Sequence, residues 1–196
     1  MSKTVEFLFD LGSPATYLAY TQLPKICEQT DSQLIYIPIL LGGVFKATGN
    51  ATPAAIPAKG RYMFQDLDRY AKRYGVPLKF NPHFPINTLM LMRAVTGMQL
   101  RHPERFGAFI DCLFKALWVD GRDLNEPATV AAVLSQNGFN PGEVLALTAD
   151  EEVKATLKDN TEKAVQRGVF GAPSMFVDDE LFFGQDRLEF VREALS

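Results

Sequence analysis

Cysteine is scarce in this chain. Its 196 residues hold two cysteines, Cys27 and Cys112, far apart and with no C-x-x-C pair. Dithiol exchange on the protein's own sulfur is therefore the least expected activity, and a structural disulfide is not expected in a reducing compartment. Both cysteines lie in helix-like contexts and read as small buried apolar residues. Histidine is equally scarce: His83 and His102 have no ligand-type spacing to either cysteine, so no metal is expected. No apolar stretch approaches the roughly 18 residues a membrane helix needs. The amino-terminal run TVEFLF carries Glu6 inside it, where a secretory leader has a longer uncharged core, so a cytoplasmic location is expected. Basic blocks are missing and the net charge is -3. Nucleic acid is not an expected partner.

What remains is an ordinary globular balance, with 47% hydrophobic and 22% charged residues. The length suits one domain carrying an inserted lobe. Thr4–Phe9 is β-rich and mostly apolar, and it ends in Asp10-Leu11-Gly12-Ser13-Pro14. Ser13 suits a helix N-cap and Pro14 a first helical turn. A helix is predicted from Pro14 to Gln29, kinked or broken near Pro24. Leu34–Ile39 reads as a second strand, and Pro38 puts it at an edge or a strand end. Together these make a βαβ unit.

Leu40–Ala58, with four Gly or Asn positions and two prolines, reads as a long irregular binding loop. From Lys59 to about Glu152 the pattern is almost wholly helical, with no strand-like alternation. Glu151–Arg167 is a further amphipathic helix stopped by Gly168. Ser174–Val177 and Glu180–Phe183 read as strands joined by a turn at Asp178-Asp179, which lacks the glycine that would fix its type. A helix over Arg187–Leu195 closes the chain. The order βαβ, helices, α, ββα predicts an α/β, thioredoxin-like four-stranded mixed sheet with an inserted all-helical lobe. The expected divisions are 1–50 for the first half and its binding loop, 51–150 for the lobe, and 151–196 for the second half.

Three stretches, FLFDLGSPATYLA at 7–19, GNATPAAIPAKGRYM at 49–63 and GVFGAPSMFVDDELFFGQDRLEFV at 168–191, resemble one family. It is that of the 2-hydroxychromene-2-carboxylate isomerases and kappa-class glutathione transferases, which has a DsbA-like fold. The stretches span the chain from end to end, and the last, F-G-x-P followed by an acidic hairpin and F-F-G-x-D-R, is the most specific. The resemblance implies glutathione as cofactor, with Ser13 beside its sulfur as the catalytic residue. It also implies glutathione contacts from Asn50, Pro57 and Lys59, from the Ala172 backbone beside Pro173, and from Gln185 and Asp186. A small aromatic or electrophilic second substrate and a homodimer follow by the same analogy. Ala15 and Thr16 depart from the family, which often has an aromatic and a serine there; Gln185 stands where kappa transferases often carry serine.

The chemistry suits those positions. A helix start carries a partial positive charge and unpaired N–H groups, which lower the pKa of a nearby thiol. The Ser13 hydroxyl can add a hydrogen bond to the anion, or serve only as an N-cap. The window Gly12-Ser13-Pro14-Ala15 has no sulfur, so Ser13 can only assist a sulfur that arrives on a ligand. Pro173 is either a strand-start residue or a cis peptide that presents the Ala172 backbone to an extended ligand. Asp186 is an N-cap or a holder of the γ-glutamyl group; Lys59 is a partner for a carboxylate or a solvated helix residue. Asn50 is a ligand contact or a turn residue. Arg187 is open between pairing with Asp10 and contacting an anionic substrate. Phe45, Tyr62, Phe64, Phe84, Phe114 and Trp118 are candidates for an acceptor pocket or for core. The readings in order are a glutathione-dependent isomerase, a kappa-like transferase and a non-catalytic glutathione-binding module, with a DsbA-type oxidoreductase last.

Overall fold

The computed structural model describes residues 2–196. Strands β1 (Thr4–Phe9), β2 (Gln33–Pro38), β3 (Ser174–Val177) and β4 (Glu180–Phe183) form one sheet in the order β2-β1-β3-β4. β1 pairs parallel with β2 and antiparallel with β3, and β3 pairs antiparallel with β4. The mixed sheet expected from the sequence is present, with the proline-bearing β2 at an edge.

Successive side chains of a strand point to opposite faces, and the two central strands use this to fill two cores. Val5, Phe7 and Phe9 of β1, with Met175 and Val177 of β3, face the larger core; Leu8 and Phe176 face the smaller one. The larger core is completed by α1 (Pro14–Gln29), α9 (Leu188–Leu195) and the helices between residues 57 and 149. The smaller core is covered by α2 (Leu41–Thr48) and α8 (Glu151–Gln166).

Between these lie α3 (Pro57–Tyr74), α4 (Leu89–Arg101), α5 (Phe106–Trp118), α6 (Pro127–Gln136) and α7 (Pro141–Ala149), so the helical texture from Lys59 onward is as expected. α5 is apolar nearly all round and sinks into the larger core. There the Trp118 indole N–H donates to the Leu11 carbonyl at 2.8 Å and fixes the turn between β1 and α1.

Two expectations need correction. α1 is not broken at Pro24 but continues through it as a single helix of 16 residues. Pro24 lies on its exposed side, where water can satisfy the carbonyl that the missing N–H would have bonded. Leu40–Ala58 is not irregular: it contains α2 and a 3-10 turn at Pro53–Ala55. α2 ends at Gly49, whose φ of 71° is the left-handed stop that glycine permits. Its beginning is held from a distance: the Leu41 N–H donates to the Asp10 carboxylate, and the Leu40 N–H donates to Thr161 Oγ1 on α8. The carboxy-terminal hairpin turns on Asp178, which adopts a φ of 52°.

Candidate active site

The amino end of α1 opens into a cleft of about 910 Å³ between the sheet half and the helices. Ser13 is the N-cap, with extended backbone, and Pro14 occupies the first turn. The Thr16 N–H donates to Ser13 Oγ at 3.2 Å, and that hydroxyl donates to the Ala172 carbonyl at 2.9 Å. The peptide between Ala172 and Pro173 is cis. Of the two readings left open for Ser13, the cap is therefore present, and the hydroxyl's single proton is engaged by the Ala172 carbonyl.

Beneath Ser13 sits Asp10, fully buried. Its carboxylate accepts from the Gly12 N–H and the Leu41 N–H, each at 2.8 Å, and from the Thr88 hydroxyl at 3.0 Å. Burial pushes its pKa above the ordinary value, and the two N–H groups and the hydroxyl pull it back. One side chain thus joins the β1–α1 turn, the start of α2 and the start of α4. Glycine at position 12 allows this close packing, because a Cβ would lie 2.9 Å from the Thr88 methyl and 3.3 Å from Asp10 Oδ1 and would push the pair apart. Asp10 does not pair with Arg187, whose guanidinium meets Asp186 at 2.7 Å.

Seven of the eight residues implied as glutathione contacts line this one cleft: Ser13, Asn50, Lys59, Ala172, Pro173, Gln185 and Asp186. Pro57 does not; it opens α3 with its ring exposed. Asn50 is more than a turn residue, since its amide donates to the Phe170 carbonyl at 2.8 Å and closes the α2–α3 connection over the cis-proline turn. Lys59 lies exposed in the first turn of α3. The Gln185 carbonyl accepts from the Tyr74 hydroxyl, and burial pushes that phenol up to about 12. Asp186 does not cap α9: the N-cap is Arg187, with no side-chain cap bond.

Among the described residues the Ala15, Ala172, Gln185 and Asp186 N–H groups have no hydrogen-bond partner. All four residues line the cleft. Free donors from two helix starts and a cis-proline turn, with Lys59 set against the Asp66 and Asp186 carboxylates of the same lining, form a surface for an extended ligand that carries both negative and positive groups.

Of the six aromatic candidates, Phe45, Tyr62 and Phe84 line the cleft. Phe114 and Trp118 are core, and Phe64 packs against Phe80 and Phe84 behind the wall. Two wall residues were missed, Phe170 and Phe183, with ring centroids 4.6 Å apart. The signal was in the sequence, since both phenylalanines stand inside the F-G-x-P and F-F-G pattern. Gly171 packs directly under this pair, where a Cβ would come within 2.7 Å of the Phe183 ring. Asp10 and Thr88 were missed as site residues too.

A family model described as a DSBA-like thioredoxin domain matches residues 4–196. The chain belongs to the DSBA-like thioredoxin family. Within it, the chain is 32% identical over 200 residues to a 2-hydroxychromene-2-carboxylate isomerase of Sphingobium xenophagum, covering 100% of this chain and 99% of that one. It is 30% identical over 208 residues to glutathione S-transferase kappa 1 of Homo sapiens, covering 100% of this chain and 92% of that one. Among solved structures, a 2-hydroxychromene-2-carboxylate isomerase superposes with a TM-score of 0.84 at 27% identity, over 98% of this chain and 94% of that one. The resemblance drawn from the three motifs is thus the relationship found, and the chain is a DSBA-like member related to enzymes. Unlike a dithiol member of the fold, it carries Gly12-Ser13-Pro14-Ala15 at the start of α1. No helix among the described residues is long and apolar enough to cross a membrane.

Proposed function

We propose that the chain is a glutathione-dependent isomerase of the 2-hydroxychromene-2-carboxylate type. The observation that carries this is the helix start itself: a sulfur-free N-cap, Ser13, bonded to the backbone of a cis-proline turn, with unpartnered N–H groups around it. The lining suits glutathione, which presents a thiol, two carboxylates and an ammonium along an extended peptide. Ala15 and Ser13 suit the sulfur, Ala172 the cysteinyl backbone, Lys59 and Asn50 the glycyl end, and Gln185 and Asp186 the γ-glutamyl end. Pro57 shapes the start of α3 from outside the cleft.

When bound, glutathione supplies a thiolate that can add to and leave a conjugated double bond, so that the bond can rotate between the two events. The chain's own work is electrostatic. The start of α1 favours negative charge on a sulfur over the neutral thiol. The Ser13 hydroxyl adds a donor by turning its single proton from the Ala172 carbonyl to the anion. Its bond from the Thr16 N–H uses a lone pair and survives that turn. Asp10 holds the β1–α1 turn so that these donors stay aimed. Phe45, Tyr62 and Phe84 give a flat apolar wall for an aromatic substrate.

The relatives also favour a second reading, a kappa-like transferase that leaves glutathione joined to an electrophile, because the human kappa transferase aligns along the whole chain. Incubating the protein and glutathione with a chromene carboxylate, and separately with a chloronitrobenzene, decides between them. Isomer without consumption of glutathione supports the first, and conjugate the second. Neither product, together with an unshifted thiol titration in the complex, leaves only a glutathione-binding module. The same reading makes the protein a cytoplasmic homodimer, by analogy with the family, acting in aromatic catabolism.

A further inference from the structure

A second cleft, of about 750 Å³, lies on the far side of α2 from Ser13, between α2, α4 and α8. Its walls are apolar, with Leu40, Leu89, Leu157 and Val165 among them, but its charged groups are unevenly matched. Lys46, Arg93, Lys154 and Lys158 face one carboxylate of the lining, Glu162. Lys154 is paired with Glu151 at 2.7 Å and Lys158 approaches Glu162 at 3.7 Å. Among the described residues Lys46 and Arg93 have no carboxylate partner within 4.0 Å, in a chain whose net charge is -3.

The pattern along α8 is regular. Lys154, Leu157, Lys158, Thr161, Glu162 and Val165 recur at helical spacing and present one face to this cleft. The approach of α2 is fixed by Gly43, where a Cβ would sit 3.2 Å from the Thr161 methyl. Cations left unpaired beside a concave apolar surface attract an anion whose body can be desolvated there, and low-dielectric walls strengthen that attraction.

We propose that this second cleft binds a small organic anion with an apolar body, an aromatic carboxylate or sulfonate, held by Lys46 and Arg93. This holds whether or not the Ser13 cleft takes glutathione. α2 is the wall between the two clefts: Leu41, Gly42 and Phe45 line one, while Gly43, Lys46 and Ala47 line the other.

The test uses 2-naphthoate as probe and 2-naphthamide as its uncharged match, with backbone amide NMR on the whole chain. Naphthoate is expected to move the signals of 40–47 and 154–166, and to bind about tenfold tighter than the amide, as befits a charge-assisted contact. Affinity is expected to fall about tenfold in the double variant Lys46→Glu, Arg93→Glu, and to weaken with added salt. The milder Lys46→Gln, Arg93→Gln variant, with a thermal unfolding midpoint near that of the parent, guards against a fold defect and is expected to lose about threefold or more. Equal binding of acid and amide, unchanged affinity in the variants, or shifts confined to residues around Ser13 and Ala172 would each overturn the proposal.

Discussion

The Ser13 hydroxyl donates to the Ala172 carbonyl at 2.9 Å, joining the start of α1 to the cis-proline turn across 159 residues of sequence. The same oxygen accepts the Thr16 N–H, so it is both cap and cross-link. Ser13→Ala removes both. Turnover is expected to fall by about 10²–10³, the scale of losing one donor to a developing anion, and folding stability by about 1 kcal/mol, the scale of a lost N-cap. Glutathione affinity should change less, since Lys59 and the backbone donors remain. Steady-state kinetics with an ultraviolet titration of the bound thiol check this. Full turnover in the variant would remove Ser13 from the mechanism.

Asp10 sets a pH dependence of stability. Burial raises its folded-state pKa above the ordinary 3.8. As pH rises from that value the unfolded chain releases its proton first, so the native state holds more protons and its stability falls. The loss is complete once the folded carboxyl has also ionised. Asp10→Asn cannot ionise, but its amide nitrogen opposes either the Gly12 or the Leu41 N–H. The variant is expected to be less stable overall, while the stability advantage of the parent shrinks as pH rises from about 3.8 towards neutrality. Denaturant titrations at a series of pH values measure it, and parallel profiles would contradict it.

The same junction shows where the sequence was legible. β1, β3 and β4 were read at their observed limits because alternating apolar residues bounded by turn residues are a local signal. α2 was hidden because Gly42 and Gly43 lower helix propensity and its start is capped by Asp10 and Thr161, from opposite directions in the chain. Local pattern carries no trace of such partners. Ser13, Ala172 and Gln185 were reached through motif resemblance, whereas Asp10 and Thr88 meet only after folding. The aromatic wall divided in the same way: residue type marked Phe84 and Phe114 alike, and only packing put one in the cleft and the other in the core.

The protein's own thiols should be silent. Cys27 and Cys112 are buried, and burial pushes both thiols up, Cys112 to about 12. Thiolate is the reactive form, so neither attacks a disulfide near neutral pH. An aromatic disulfide reagent is expected to label neither in the native protein and both after denaturation, and an insulin reduction assay should show no activity. Labelling of the native chain at one equivalent would reopen the redox reading.

Lys59 separates binding from chemistry. It stands in the first turn of α3, exposed and lining the cleft, while Ser13 lies buried at the start of α1. A lysine holding a carboxylate acts alike in the ground and transition states, so its loss raises KM and spares kcat. Lys59→Gln is therefore expected to raise the KM for glutathione by about five- to tenfold, the scale of one charge-assisted contact partly screened by water, with kcat nearly unchanged. Glutathione affinity in the parent should weaken with salt, and more steeply than in the variant. If kcat falls with KM unchanged, Lys59 acts on the reacting atoms instead. If neither moves, the glycyl carboxylate is held by Asn50 and the backbone, and the cation is a solvated surface group.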